Sequence, residues 1–271
     1  MKPAAIDCRL CGAPTAFGFA RPTDDGGEIR CFVCTACRSL QTEPPYWLDD
    51  VYAAAASPSR LDLDTSAVAR CLFNRIVVAL LWKLGGFANG RDRLLDWGGG
   101  PGLFVRLLRD VGIDAYVYDK YARNHYATGF VRAEDTRYSF VTAFEVFEHF
   151  PDPATDLEPI FALDPAFLLI STSLFTGQGP DWAYLGPPKS EHVFFYSEAA
   201  LALIGRRFGY EVFRMPHAIT LFHKPGLSTT RLRWASRLIA HPHLAEIAFA
   251  LKPKWSLADE DSRTIRRRVD G

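Results

Sequence analysis

Leu94-Leu-Asp-Trp-Gly-Gly-Gly-Pro-Gly-Leu-Phe104, followed by Tyr116-Val-Tyr-Asp119, decides how this chain reads. An apolar run enters Asp96, a turn follows with glycines at 98, 99, 100 and 102, and a helix is expected from about Leu103. Glycine lets the backbone pass close to a ligand and adopt conformations closed to other residues. The second apolar run ends in Asp119, 21 residues after Gly98. A carboxylate at such a strand tip is placed to accept hydrogen bonds from ribose hydroxyls. Strand, glycine turn, helix, strand and acid together predict a site for an adenosine-bearing ligand.

The dinucleotide fingerprint is G-x-G-x-x-G, with the helix N-terminus facing a pyrophosphate. Here the last glycine comes one residue early, Leu103 stands in its expected place, and Pro101 lacks an N–H that could serve a phosphate. The D-x-G-x-G-x-G pattern led by Asp96 resembles motif I of the class I S-adenosylmethionine (SAM) methyltransferases, of the methyltransferase-23-like kind. The resemblance implies that Gly98, Gly99, Gly100 and Gly102 wrap the amino-acid part of SAM and that Asp119 binds its ribose. Asp96, Phe104, Lys120, Phe144 and Glu145 complete the cofactor-side candidates. Binding of NAD by an oxidoreductase is the rival reading, disfavoured by the early glycine and by Pro101.

The chain has 271 residues, 48% of them hydrophobic, which suits one main domain with a sizeable core and a small accessory module. Its formal net charge is zero, so no global field draws it to nucleic acid or an anionic membrane. The longest apolar run, Ile76–Trp82, is far short of the roughly 20 residues that span a bilayer. Met1 to Cys8 lacks the apolar core of a signal peptide, so a cytoplasmic protein without stable membrane insertion is expected.

Five of the six cysteines lie between residues 8 and 37, as Cys8-x-x-Cys11 and Cys31-x-x-Cys34-x-x-Cys37. A reducing compartment argues against disulfides, and paired knuckles argue for a structural zinc. Three cysteines compete for the second knuckle. Cys31/Cys34 leaves 19 residues between pairs and Cys34/Cys37 leaves 22. The segment Cys34-Thr-Ala-Cys-Arg-Ser-Leu-Gln-Thr-Glu-Pro44 resembles the second knuckle of methyltransferases with an N-terminal zinc-binding region, which implies Cys8, Cys11, Cys34 and Cys37 as ligands. Cys71, alone in an apolar helix, reads as a core residue.

From residue 91 the chain alternates strand and helix: strands near 93–97, 115–118, 129–132, 140–145 and 166–172, and helices near 102–111 and 154–162. A helix at 197–207 and strands at 210–215 and 218–222 close the pattern. Such alternation argues for an α/β fold with a sheet covered on both faces. The resemblance, covering roughly residues 60–224, implies a doubly wound, mostly parallel, seven-stranded Rossmann-like sheet. The expected division is 1–48 zinc ribbon, 49–90 linker and leading helices, 91–225 SAM-binding core and 226–271 helical tail. The tail carries Arg231, Arg233, Arg237 and Arg266-Arg-Arg268, diluted by Asp259-Glu-Asp261, and reads as a solvated helix with a frayed end.

Two further segments bear chemistry. Phe140-Val-Thr-Ala-Phe-Glu-Val-Phe-Glu-His-Phe-Pro151 resembles the E-V-L-E-H signature at the fourth strand of small-molecule methyltransferases. Ligands of doubly wound sheets bind beyond the carboxyl ends of strands, where Glu145, Glu148 and His149 fall. His149 is the base candidate, since imidazole titrates near neutral pH and the neighbouring carboxylates are expected to raise its pKa. In relatives that O-methylate quinone-precursor phenols, Glu-x-x-Glu-His is linked to a divalent cation such as magnesium. The long loop Thr176–Ser197 ends in Glu191-His-Val-Phe-Phe-Tyr-Ser197, which resembles the substrate-side H-x-x-F-F-S segment of the same group. Trp182, Tyr184, His192 and Tyr196 are its pocket-lining candidates, with His192 the alternative base.

These readings converge on a SAM-dependent methyltransferase acting on O or C of a small molecule, a saccharide or activated sugar in the first instance. A metal-assisted phenol O-methyltransferase and an NAD-dependent oxidoreductase are the alternatives. Nucleic acid is not expected as substrate, given the zero net charge and the lack of an N-P-P-Y-type tetrad. The sequence leaves the oligomeric state open.

Overall fold

The computed structural model describes residues 6–55, 65–250 and 256–269. Strands β1 (Thr15–Pro22), β2 (Glu28–Cys34) and β3 (Leu40–Thr42) are followed by helices α1 (Leu48–Ala55) and α2 (Thr65–Leu84). Next come β4 (Leu94–Trp97), α3 (Leu103–Arg109), β5 (Ala115–Tyr118) and β6 (Phe140–Phe144). The short helices α4 (Pro153–Asp156) and α5 (Glu158–Phe161) lead to β7 (Phe167–Ser171) and β8 (Phe194–Phe195). Helix α6 (Glu198–Phe208) precedes β9 (Glu211–Arg214) and β10 (Ile219–His223), and α7 (Thr229–Ile239), α8 (Pro242–Ala250) and α9 (Ala258–Val269) end the chain.

The central sheet runs β5-β4-β6-β7-β10-β9. The first four strands are mutually parallel and the last two antiparallel. Continuous apolar runs such as Phe140-Val-Thr-Ala-Phe144 suit strands buried on both faces. Successive residues point to opposite faces. Leu94, Phe140 and Phe167 therefore pack with Val77 and Leu81 of α2, while Leu95, Val141 and Leu168 pack with Ile160 and with Leu201 and Ile204 of α6. Helix α6 starts where Ser197 Oγ accepts from Ala200 N at 3.0 Å and stops at Gly209, with φ 77°.

Three expectations change. Among the described residues the sheet has six strands where seven were expected, because residues 129–132 contribute one parallel bridge, Val117 to Val131, preceded by Gly129 at φ 89°. The helix near 154–162 is split at Leu157, since Pro159 in its second half lacks the N–H to continue the ladder. The tail is packed on one face and solvated on the other: Leu232, Ala235, Ile239, Ala245 and Phe249 join the core beside α2, while Arg231, Arg233 and Arg237 are exposed as expected. Asp261, 2% exposed, also pairs with Arg109 at the end of α3, at 2.6 Å. Asp64, an N-cap candidate by residue type, and Ser57-Pro58, a helix break by residue type, lie outside the described residues.

A second sheet, order β1-β2-β3-β8, joins the cysteine-rich region to the main body. Its fourth strand is Phe194–Phe195, immediately after His192-Val193.

Candidate active site

The glycine turn sits beyond the carboxyl end of β4. Gly98 has φ 72°, and a Cβ there would come 2.6 Å from Val146 Cγ2. Gly102, at φ 84°, caps α3 with its missing Cβ only 3.1 Å from Ala127. Both positions demand glycine for conformation and for space. Gly99 and Gly100 lie between them. Asp119 follows β5, and its Oδ2 accepts from Gly100 N at 2.9 Å. Its Oδ1 accepts from Tyr121 N at 2.8 Å and Ala122 N at 2.7 Å. The carboxylate thus ties the glycine turn to the next loop and keeps lone-pair capacity for one more donor.

Asp96 is buried and accepts from Thr142 Oγ1 at 2.7 Å. Burial, with the nearby Asp119 charge, pushes its carboxyl up to about 7. Phe104, expected on the cofactor side, points into the core and meets half-buried Phe144 edge-on at 5.5 Å. Lys120 is exposed, with Nζ 5.1 Å from the Tyr121 ring.

Immediately after β6, Glu145 has φ 53°, a left-handed conformation uncommon for a residue with a side chain. Ser171 Oγ donates to its Oε1 at 2.6 Å. The Tyr184 hydroxyl stands 2.5 Å from Glu148 Oε1 and 3.1 Å from Glu145 Oε2. Glu148 is fully buried, and burial together with the Glu145 charge raises its carboxyl to about 8. Its Oε2 has no hydrogen-bond partner among the described residues.

The His149 and His192 rings lie 5.0 Å apart. His149 departs from expectation. Burial, reinforced by His192, lowers its pKa to about 3, so the ring is neutral at neutral pH. Burial outweighs the neighbouring acids, and Glu148, with its carboxyl raised to about 8, holds its proton at neutral pH and lends the ring no charge. His192 Nδ1 lies 2.6 Å from Tyr184 O. A carbonyl can only accept, so Nδ1 carries the proton and Nε2 offers a lone pair. Glu148, His149 and His192 each present a ligand atom within 4.8 Å of the others, a grouping that replaces the expected Glu145/Glu148/His149 set. Trp182 and Tyr184 lie in the loop with their rings 5.4 Å apart, and Tyr196 is fully buried and donates to Phe147 O at 3.1 Å. A cleft of about 530 Å³ opens between Phe19, Val33 and Arg38 on one side and residues 175–180 on the other.

The sulfurs of Cys8, Cys11, Cys34 and Cys37 also lie within 4.8 Å of one another. Cys8 and Cys37 are 3.6 Å apart and Cys11 and Cys34 3.5 Å, near the roughly 3.8 Å edge of a tetrahedral zinc–thiolate site. Ala36 N and Cys37 N donate to Cys34 Sγ at 3.4 and 3.3 Å. Cys31 sits elsewhere, packed with Leu40, Phe175 and Phe195, its thiol held up to about 12 by burial.

Sequence reasoning missed Arg9 and Tyr52. Tyr52 of α1 stacks on Tyr121, two residues past Asp119, at 4.2 Å and 6°. The Tyr52 contact is made across the fold with no motif around it, and Arg9 occupies an x position of the Cys8-x-x-Cys11 knuckle, where only the cysteines carry the signal.

Among solved structures the chain resembles, magnesium protoporphyrin IX methyltransferase from Synechocystis PCC 6803 is 12% identical, with 66% of this chain and 94% of that chain covered and a TM-score of 0.40. The small RNA methyltransferase HEN1 is 16% identical, with 57% and 25% covered and a TM-score of 0.38. The SAM-dependent methyltransferase SibL is 17% identical, with 65% and 62% covered and a TM-score of 0.38. Such scores say nothing of this chain's acceptor. No curated protein matches the sequence at a significant level. A family model described as a methyltransferase domain matches residues 69–214, more than half of the chain, from within α2 to the end of β9. The chain therefore belongs to that family and is a SAM-dependent methyltransferase.

Proposed function

We propose that the chain methylates an oxygen or carbon nucleophile on a small molecule, a saccharide or its activated precursor. SAM, when bound, supplies a methyl group on a sulfonium, and the acceptor nucleophile displaces S-adenosylhomocysteine. Gly98, Gly99, Gly100, Gly102 and Asp119 hold the cofactor, with Asp96, Lys120, Phe144 and Glu145 around it. His192 takes the acceptor proton on Nε2, and His149 and Glu148 flank it. The observation that carries this reading is the Nδ1 contact of His192 with Tyr184 O, which leaves its other nitrogen a free base beside a second imidazole. Positioning of acceptor and methyl in line supplies most of the rate.

The saccharide preference rests on the likeness of the cysteine-rich module. Arg38, which has no ion-pair partner among the described residues, supports it, since a guanidinium on the cleft suits the phosphate of an activated sugar. Cys8, Cys11, Cys34 and Cys37 hold a structural zinc, closed to substrate because four thiolates fill its coordination sphere. The proposed setting is the cytoplasm, where such thiols stay reduced. No helix among the described residues is long and apolar enough to cross a membrane. A screen of activated sugars with His192→Ala as control tests the proposal. Turnover is expected to fall roughly 10²–10⁴-fold while S-adenosylhomocysteine affinity holds. Full turnover in the variant would remove His192 as the base.

One observation favours a second reading. The unpartnered, buried Glu148 Oε2 beside His149 and His192 forms a two-histidine, one-carboxylate donor set. Nitrogen donors suit manganese, iron or zinc rather than magnesium, which prefers oxygen. Turnover that vanishes in chelator and returns with manganese but not magnesium would establish it.

A further inference from the structure

Arg9 lies between two cysteines of the four-sulfur cluster, yet its side chain reaches across the molecule to the two histidine-bearing segments. Its Nη2 donates to Val193 O at 2.7 Å and to Thr42 O at 3.2 Å, and its Nη1 donates to Pro151 O at 3.0 Å. Val193 follows His192, and Pro151 stands two residues after His149. The Val193 peptide is held on its other side too, since its N–H donates to Glu148 O at 2.9 Å and its carbonyl also accepts from Thr42 N at 3.1 Å. The knuckle backbone fixes Arg9 in turn: its N–H donates to Gln41 Oε1 at 2.9 Å, and its carbonyl accepts from Ala154 N at 3.1 Å. The guanidinium also lies 5.9 Å from the centre of the Phe194 ring.

We infer that Arg9 is a positioning residue for methyl transfer: held by the cysteine knuckle, its guanidinium clamps the backbones of residues 149–151 and 192–193 and sets the separation of the His149 and His192 rings. The inference rests on the proposed acceptor-side role of those histidines. Planar geometry explains the choice of arginine. One fork spans carbonyls from three separate segments, whereas an ammonium offers a single point of donors. Backbone carbonyls do not titrate, and the guanidinium, lowered by burial to about 10, stays charged at neutral pH, so the clamp is insensitive to pH around neutrality. An element far from SAM thereby controls acceptor-side geometry, where a displacement of about 1 Å costs on the order of 10²-fold in rate.

The test reads the rings themselves and not turnover. Protein labelled with ¹⁵N-histidine has seven imidazoles, and the two of interest are assigned with His149→Gln and His192→Gln. In Arg9→Met the His149 and His192 signals are expected to move while the other five stay. Metal content and S-adenosylhomocysteine affinity should remain within about two-fold of the parent. Arg9→Lys, which keeps the charge but reaches fewer carbonyls, should move the same two signals by a smaller amount, and it carries the test if Arg9→Met fails to fold. Spectra of both variants that overlay the parent at His149 and His192 would overturn the inference. So would equal movement of all seven signals with loss of cofactor affinity, which marks a general structural role. Failure of the methyltransferase reading would show separately, as absence of S-adenosylhomocysteine binding in the parent.

Discussion

Asp119 joins two jobs in one carboxylate. It accepts three backbone N–H bonds that tie the glycine turn to residues 121–122, and it stands at the strand tip where a ribose would lie. Asp119→Ala is expected to weaken S-adenosylhomocysteine binding by about 1–3 kcal/mol, the usual loss of a hydrogen bond to a charged group. An unchanged dissociation constant by calorimetry would contradict the assignment. Asp96 works differently. Its pKa rises from 3.8 to about 7, so the folded state holds the proton more tightly than the unfolded chain. Its contribution to stability is therefore full below pH 4 and is lost as pH rises to about 7. Asp96→Asn should flatten the decline in unfolding free energy over that window by up to about 1.4 kcal/mol per pH unit. Urea titrations at pH 5 and pH 8 measure it, and an identical slope in the variant would refute the burial argument. Asp96 and Asp119 were legible because glycine spacing and a strand-end acid are local signals. The neutral state of His149 was not, since it depends on burial by the assembled fold and on His192, which a distant loop brings beside it.

At the scale of elements, periodicity located most strands and helices of the main sheet, because a strand buried on both faces must be apolar throughout. It failed where one backbone detail decides. Gly129 at φ 89° reduces an expected strand to a single bridge, and Pro159 divides one helix into two. The pairing of β3 with β8 had no signature either, since two residues of strand give no period to read. The knuckles pose the sharpest element-scale question, because Cys31 and Cys37 have equal spacing from Cys34. Cys31 lies on β2 in an apolar cluster, apart from the four clustered sulfurs. Cys31→Ser should retain one equivalent of zinc, and Cys37→Ser should lose it, as read by metal analysis of purified protein. The reverse pattern would reassign the second knuckle.

For the whole molecule, the tail closes onto the helix that begins at the glycine turn. Arg109 donates to both oxygens of Asp261, at 2.9 and 2.6 Å, and both side chains are almost fully buried. Arg109 keeps Asp114 Oδ1 at 2.7 Å when Asp261 is removed, so Asp261→Ala is expected to cost about 1–3 kcal/mol of unfolding free energy, the usual loss of hydrogen bonds to a charged group. Chemical denaturation checks this, and a loss below about 1 kcal/mol would mean the tail is not docked in solution. The central claim concerns what the glycine turn holds. Titration calorimetry of the intact protein with S-adenosylhomocysteine and, separately, with NAD tests it most directly. The account predicts one-to-one binding of S-adenosylhomocysteine and no heat from NAD; saturable binding of NAD with none of S-adenosylhomocysteine would contradict it.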